Sequence, residues 1–370
     1  MGFMIIVAAI GFLFSIYTYF QVRKLQFIDN LAGEQKWKKN IFPALIIIVL
    51  LAVGYLINMV VTVVIAIHLM IFWLIANIVA LIIHKATHKK VNGYIVCLVA
   101  VCLTVAYLGY ACYNDNNVVK TTYQITSNKD ASNNKGESLT SLKIAQITDT
   151  HIGTTFDGEG FADELEKVKA QNPDVVFITG DFVDDDTSKE DMIEACKALG
   201  QLKTKYGVYF ITGNHDPSYF YNREYNMGDL ERELKNNGVE ALIDEAKLVD
   251  GAFYVVGRMD RRFENERKSM KELTESLDES KYMIVLDHQP HDFKAQQKAG
   301  ADLVLCGHTH GGQMFPLGYF GEWSGANEKT YGLEKRGSTY YEVSSGMSGW
   351  GMPFKTGAKS EFVIINVQFQ

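Results

Sequence analysis

The segment LKIAQITDTH (142–151) sets a pattern that recurs four times along the chain. Each copy begins with a short run rich in Val and Ile, which is typical of a buried β-strand, and ends in Asp, His or Asn. Amphipathic stretches separate the copies, so the sequence predicts an α/β domain over 142–370. Ligands of α/β sheets bind outside the carboxyl ends of the strands, and these polar ends are therefore expected to meet. The other copies are DVVFITGDFVD (174–184), GVYFITGNHD (207–216), YMIVLDH (282–288) and DLVLCGHTH (302–310).

The polar strand ends combine carboxylate, imidazole and amide groups, a mixture that suits Mn, Fe or Zn. No Cys stands among them, which argues against a structural thiolate zinc site. Seven candidates exceed the needs of one tetrahedral ion and suit two ions about 3.5–4 Å apart, a clamp for displacement at phosphorus. In an extended segment, the side chains of residues i and i+2 lie on the same face, so each Asp-x-His or His-x-His pair can coordinate one ion. The candidate ligands are Asp149, His151, Asp181, Asn214, His288, His308 and His310.

The ordered motifs D-x-H, G-D-x-x-D, G-N-H-D, H and G-H-x-H resemble the signature of the calcineurin-like metallophosphoesterase superfamily. The resemblance covers 142–370, and the tail VSSGMSGWGMPFKTGAKSEFVIINV (343–367) is similar to a membrane-anchored bacterial branch. It implies a four-layer α-β-β-α sandwich with a centre of two divalent ions. By position, one ion would be held by Asp149, His151, Asp181 and His310, and the other by Asp181, Asn214, His288 and His308. Asp181 would bridge the two ions.

The same resemblance implies hydrolysis of a phosphate ester, phosphodiester or pyrophosphate bond, with a metal-bridging hydroxide as nucleophile. His215 would act as the acid for the leaving oxygen, and Asp184 would orient His215. Asp216 is left with two interpretations, a similar role or a cap of its turn. The alternative function is a catalytically silent metal-binding sensor whose helical bundle is the output, but such a protein has no need of His215.

The segment GRMDRR (257–262) places three arginines in an otherwise acidic domain. Because Arg binds phosphate through two parallel hydrogen bonds, Arg258 and Arg261 are candidate substrate-binding residues. A solvated turn before a helix is the alternative. The domain after residue 113 carries 28 Lys and Arg against 41 Asp and Glu, a balance of −13 that argues against non-specific nucleic-acid binding.

Residues 1–113 predict a multi-pass membrane anchor, because three long stretches lack Asp, Glu, Lys and Arg. A span needs about 20 apolar residues, so the 43-residue middle stretch is expected to form two helices, with Asn58 as one candidate turn. Residues 114–141 predict an exposed linker, with a short strand at 123–126. The predicted four-helix anchor has spans at about 2–20, 41–60, 63–83 and 92–112.

The basic residues of the anchor predict its orientation. The loop 21–40 carries five Lys and Arg and the loop 84–90 carries three, so four spans would place both loops in the cytoplasm. The catalytic domain is then expected outside the cytoplasm at the cell membrane, with membrane lipids as partners. A lipid-linked or cell-wall-linked phosphate is one substrate class compatible with this site, and nucleotide pyrophosphates and glycerophosphodiesters are others.

Overall fold

The computed structural model describes residues 2–129, 131–219 and 223–370. The chain forms two compact units, Met1–Tyr110 and Ala111–Gln370. The boundary falls inside the last helix of the apolar region, so the end of that helix belongs to the second unit.

The first unit is helical, and its outer surface is apolar. Three helices in the described part of the chain are long and apolar enough to cross a membrane: Lys36–Leu56, Met59–Thr87 and Gly93–Asn116. Helix Gly2–Arg23 is not among them, so a fourth span at 2–20 stays a prediction. The helices in the described part of this region are α1 (Gly2–Arg23), α2 (Gln26–Ala32), α3 (Lys36–Ile57), α4 (Met59–Thr87) and α5 (Gly93–Asn116).

The predicted break in the long apolar stretch is confirmed at Asn58. This residue has an extended backbone, with φ −163° and ψ 116°, and separates α3 from α4. Its side-chain oxygen accepts a hydrogen bond from the Val61 N–H at 3.0 Å and so caps the new helix.

The second unit contains two six-stranded mixed sheets. Its strands are β1 (Val119–Ser127), β2 (Ser141–Ile147), β3 (Val175–Thr179), β4 (Val208–Ile211), β5 (Val239–Ala241), β6 (Glu245–Val249), β7 (Phe253–Gly257), β8 (Tyr282–Leu286), β9 (Leu303–Cys306), β10 (Gly332–Arg336), β11 (Thr339–Val343) and β12 (Glu361–Phe369). One sheet has the order β1-β12-β2-β3-β4-β5, and the other has the order β10-β11-β9-β8-β7-β6. Within the first sheet β2, β3 and β4 are parallel, and within the second β7, β8, β9 and β11 are parallel.

Helices cover the outer faces of both sheets. They are α6 (Gly158–Lys169), α7 (Lys189–Leu199), α8 (Met227–Asn236), α9 (Met270–Thr274) and α10 (Phe293–Lys298). A further short helix, α11 (Leu317–Trp323), has no buried residue. Alternate residues of β3 face opposite sides: Val175 and Phe177 pack between the sheets, whereas Val176 and Ile178 pack against α6 and α7. On the second sheet, Val285 packs on the side of α9 and α10. The layers therefore run helices, sheet, sheet, helices, which is the order expected for the sandwich.

The structure differs from the sequence prediction in the segment 114–141 and in one helix. Instead of an exposed linker with a strand at 123–126, the chain there forms the nine-residue β1, which pairs with β12 in parallel from Val119↔Glu361 to Ser127↔Phe369. In the segment 265–278, whose amphipathic pattern predicts a helix, the structure has only the five-residue α9. It begins where Ser269 and Glu272 form a capping box, and the preceding residues turn to place Arg267 against Asp287.

Candidate metal centre

The seven expected ligands come together where the parallel strands of the two sheets end. Among the residues that the structure describes, three groups of possible metal ligands have their ligand atoms within 4.8 Å of one another: Asp149, His151 and His310; Asp181, His288 and His308; and His151, Asp184 and His215. The first two groups correspond to the two sets that the resemblance implies. Asp149, His151, Asp181, Asn214, His288 and His310 are all buried.

Asp181 lies between the two ligand sets. Its Oδ2 is 3.0 Å from His288 Nε2 and 3.7 Å from His151 Nε2. In the first set, Asp149 Oδ1 is 3.4 Å from His310 Nε2. The imidazoles of His288 and His308 have centroids 5.2 Å apart, and those of His151 and His310 are 5.1 Å apart. One carboxylate therefore faces both sets, as a bridging ligand must.

The backbone around the ligands adopts conformations that cost energy. Asp149, His151, Asp181, His308 and His310 all have positive φ, between 39° and 70°. Non-glycine residues rarely occupy this region, and such conformations gather at functional sites where the surroundings impose them. Here the left-handed bends turn successive side chains toward one point.

Two glycines of the motifs, Gly213 and Gly307, lie so close to neighbouring residues that no side chain would fit there. A Cβ at Gly213 would lie 2.2 Å from Asp181 Oδ1, and a Cβ at Gly307 would lie 2.2 Å from Asp149 Oδ2. Both distances are far below a van der Waals contact. Glycine at these positions lets the neighbouring loops approach the carboxylates of Asp149 and Asp181 closely.

Asp216 holds two of these loops together, which resolves the two interpretations left by the sequence. Its buried carboxylate accepts backbone hydrogen bonds from Asp181, Phe182, Val183 and Gly213, at 2.7 to 3.1 Å. Burial and the nearby Asp181 carboxylate raise the pKa of Asp216 to about 6. Asp216 thus anchors the backbone of Asp181, the candidate bridging ligand, rather than orienting His215.

Three of the candidate ligand histidines have their Nδ1 atoms held by hydrogen-bond partners that belong to neither expected ligand set. Nδ1 of His288 donates to the Thr179 carbonyl at 2.8 Å, and Nδ1 of His310 donates to the Ser348 carbonyl at 2.9 Å. His151 Nδ1 bonds Asp184 Oδ2 at 2.9 Å. Such partners fix the tautomer and ring orientation of metal-binding histidines. In each case Nε2 is the atom left for a metal.

The donor atoms fit divalent cations. His151 Nε2 and Asn214 Oδ1 are buried and have no hydrogen-bond partner within the described part of the chain. Buried polar atoms without partners are costly unless a ligand satisfies them. Burial lowers the pKa of His308 to about 4 and that of His310 to about 3, so both imidazoles are neutral and able to ligate at pH 7.

The pKa of His288 shifts in the opposite direction to those of His308 and His310. Burial opposes its protonation, but the Asp181 carboxylate outweighs burial and raises the His288 pKa well above its ordinary value. The proton of His288 would lie on the 3.0 Å line to Asp181 Oδ2, between two atoms that a metal would join. A metal bound between these two atoms would take the place of this proton.

Asp184 links His151 to His215. One of its carboxylate oxygens lies 2.9 Å from His151 Nδ1, and the other lies 3.0 Å from His215 Nδ1. The His215 side chain is 11% exposed, and its backbone N–H donates to Asp181 Oδ1 at 2.7 Å. His215 thus stands at the rim of the centre with its Nε2 free of Asp184.

The arginines of the segment 257–262 have different surroundings. Arg258 is buried, and its guanidinium bonds Asp287 at 2.8 Å and Asp292 at 3.2 Å, which leaves it engaged within the protein. Arg261 is about one-third exposed and lines an open cavity together with Asn214 and His308. Of the two candidates, the structure brings Arg261 to the site.

Sequence reasoning missed Arg262 and Tyr219. The Arg262 guanidinium donates to the Asn214 carbonyl at 2.9 Å and to the Ser218 carbonyl at 3.1 Å, and it stacks 3.9 Å above the Tyr219 ring. Tyr219 in turn accepts from the Asn214 amide at 3.2 Å. Arg262 stands in the arginine segment already singled out, but its carbonyl partners could not be read from the sequence. Tyr219 carried no signal.

Comparison with known proteins agrees with this geometry. Residues 142–312 match the family model of the calcineurin-like phosphoesterases, and this range contains every expected ligand together with His215 and Asp184. The second unit therefore contains a calcineurin-like phosphoesterase domain.

Two relatives show how far the similarity extends. An uncharacterized metallophosphoesterase of Campylobacter jejuni is 34% identical over 236 residues, which cover 61% of this chain and 59% of the relative. A transmembrane protein with a metallophosphoesterase domain from Danio rerio is 32% identical over 247 residues, covering 62% of this chain and 54% of the relative. The chain thus spans little more than half the length of these relatives. A solved structure from Thermus thermophilus is 13% identical, with a TM-score of 0.37, over 55% of this chain and 88% of that chain.

Proposed function

We propose that the second unit hydrolyses a phosphate ester, phosphodiester or pyrophosphate bond with the aid of two divalent ions, Mn, Fe or Zn. The observation that carries the proposal is the position of Asp181 Oδ2, which faces His288 Nε2 at 3.0 Å and His151 Nε2 at 3.7 Å. One ion would be held by Asp149, His151, Asp181 and His310. The other would be held by Asp181, Asn214, His288 and His308.

The bound ions would supply Lewis acidity and lower the pKa of water to about 7. His215 would give a proton from Nε2 to the leaving oxygen, because its Nδ1 is held by Asp184 at 3.0 Å. Proton transfer of this kind is worth about 10²–10⁴-fold in rate. The carboxylate of Asp184 also binds His151 Nδ1. It would therefore keep the proposed ligand His151 and the proposed acid His215 at a fixed distance from each other.

Substrate binding is proposed for the open cavity beside the second ligand set. Arg261 is the exposed guanidinium there and can bind a phosphate oxygen, whereas Arg258 is engaged by Asp287 and Asp292. Arg262 would have a different role. It donates hydrogen bonds to the Asn214 and Ser218 carbonyls and would thereby position the loop that carries the proposed ligand Asn214.

The domain is proposed to lie outside the cytoplasm. The basic loops 21–40 and 84–90 flank α3 and α4, so both lie on one side of the membrane whenever these two helices span it. Helix α5 then crosses to the other side. This orientation holds with or without a span at 2–20, because it depends only on α3, α4 and α5. A tether at that surface favours a lipid-linked or cell-wall-linked phosphate as substrate.

The experiment uses full-length protein in lipid nanodiscs, stripped of metal and reloaded with Mn, Fe or Zn, with an aryl phosphodiester as substrate. Asp181→Ala and His215→Ala should abolish hydrolysis. The controls are Asp163→Ala, at an exposed acid of α6, and His291→Ala, at a histidine outside the clusters, and both should retain activity. Normal turnover by Asp181→Ala would refute the proposal. Full metal loading without turnover on phosphomonoesters, phosphodiesters or pyrophosphates would favour the silent sensor instead.

A further inference from the structure

A compact group of large apolar side chains is exposed on the second unit, outside the range of the family match. This aromatic patch consists of Phe315, Leu317, Tyr319, Phe320 and Trp323, which are 55% to 76% exposed. None of the residues of α11 is buried. Soluble monomers rarely expose contiguous apolar surface of this kind without a partner.

The side chains of the patch contact one another and form one face. The rings of Phe315 and Tyr319 have centroids 6.2 Å apart, those of Tyr319 and Trp323 are 6.1 Å apart, and those of Phe320 and Trp323 are 5.6 Å apart. Their spacing of three and four residues places them along one side of the helix. The patch is thus a continuous surface rather than scattered exposed residues.

Hydrogen bonds inside the second unit connect the patch to the end of a membrane span. The Lys355 N–H donates to the Ala111 carbonyl at 3.0 Å, and Ala111 lies in the last turns of the span Gly93–Asn116. The next residue, Thr356, accepts at Oγ1 from the Phe315 N–H at 3.0 Å. Two hydrogen bonds and one peptide unit therefore join the first patch residue to the end of α5, which also carries the exposed Tyr113.

The composition of the patch matches the boundary between lipid and water. Tyr and Trp are enriched at that boundary because their rings are apolar and their edges are polar. From Met314 to Asn327 the only charged residue is Glu322, and its carboxylate accepts from the Thr330 N–H at 2.7 Å. With no Lys or Arg in this stretch, attraction to anionic lipid headgroups cannot contribute much.

We propose that the aromatic patch inserts into the interface of the bilayer that α5 crosses and so fixes the second unit against the membrane. The apolar side chains would enter the boundary between headgroups and acyl chains, about 5–10 Å deep as amphipathic helices do. Leu317 at the edge of the patch lines the same open cavity as His308 and His310. Docking would therefore hold the mouth of the metal centre at the level of the lipid headgroups.

The test measures the depth of one patch residue in full-length protein. Phe320→Cys is made in a background in which Cys97, Cys102 and Cys112 are replaced by Ser, since Cys196 and Cys306 are buried. The cysteine is labelled with an environment-sensitive fluorophore, and the protein is reconstituted in nanodiscs of zwitterionic lipid. Leu248→Cys is the matched control, because Leu248 is an exposed apolar residue on β6, at the opposite edge of its sheet from β10.

The label at 320 should emit at shorter wavelength than the label at 248 and should be quenched by lipids spin-labelled near the headgroup. Quenching should be equal at low and high salt and should not need anionic lipid. Equal quenching at 320 and 248 would overturn the proposal. So would a label at 320 that is shielded only in discs that hold two protein copies, because the patch would then be a contact between copies.

The readout is independent of catalysis, so it separates this proposal from the proposed hydrolase function. Metal-free protein should give the same quenching as metal-loaded protein. A paired substitution, Phe320→Ser with Trp323→Ser, should abolish the quenching of a label at Tyr319→Cys while the metal content of the protein is unchanged.

Discussion

Replacement of Asp184 by Asn tests the link between a metal ligand and the proposed acid. The carboxylate offers one oxygen to His151 Nδ1 at 2.9 Å and the other to His215 Nδ1 at 3.0 Å. The amide of Asn keeps one acceptor but presents an NH2 group to the second imidazole. One of the two histidines must therefore lose its bond or change its tautomer, and a proton on His151 Nε2 would block a metal.

The size of the effect depends on which histidine loses its partner. Loss of an outer partner of a ligating His costs about 10–100-fold in metal affinity or activity. Loss of an oriented acid costs about 10²–10⁴-fold in rate. We expect at least a tenfold decrease in one of these quantities, equivalent to about 1.4 kcal/mol of binding or activation free energy.

Two measurements on the same protein separate these outcomes: Mn affinity by calorimetry, and kcat for an aryl phosphodiester at saturating Mn. Reduced affinity with recoverable kcat would indicate that His151 is affected, and unchanged affinity with reduced kcat would indicate His215. The control is Asp186→Asn, at an exposed acid of the same loop. If Asp184→Asn behaved like this control in both measurements, the proposed role of the shared carboxylate would be refuted.

Three further predictions follow from the contacts around the centre. Asp216→Ala leaves four backbone N–H groups without their acceptor, each worth about 1–3 kcal/mol, so the free energy of unfolding of the second unit should decrease by several kcal/mol in denaturant titrations. Mn affinity should increase as the pH rises above 6.5, because the raised pKa of His288 keeps a proton on this proposed ligand at pH values where an ordinary imidazole is neutral. Calorimetry in buffers of different ionisation enthalpy should detect the release of this proton, and an affinity independent of pH would contradict the prediction. Arg262→Lys removes the two guanidinium N–H groups that bind the Asn214 and Ser218 carbonyls. It should weaken Mn binding at the position proposed to include Asn214 about tenfold. The control Arg232→Lys, on the exposed face of α8, should leave Mn binding unchanged.

The convergence of ligands could be predicted from the sequence because it depends on local pattern and on one general property of sheets. Strands such as 174–179 and 302–306 are short apolar runs, and the side chains that follow parallel strands meet at one edge. The histidine partners could not be predicted in the same way. His310 donates to the carbonyl of Ser348, a residue whose side chain carries no signal for that contact.

Long-range pairing explains the other differences. The polar segment that forms β1 has an alternating pattern too weak to indicate a nine-residue strand, and its partner β12 lies about 240 residues further along the chain. Arg258 looked like a phosphate ligand because the domain is acidic, but the acids that bind it, Asp287 and Asp292, follow a strand 29 to 34 residues later. In both cases the deciding contact is tertiary, and local propensity does not contain it.

The most direct test of the central claim is anomalous X-ray diffraction from crystals of Mn-loaded protein. We predict two peaks about 3.5–4 Å apart. One should be bounded by Asp149, His151, Asp181 and His310, and the other by Asp181, Asn214, His288 and His308. A single peak, or a pair that does not share Asp181, would contradict the account.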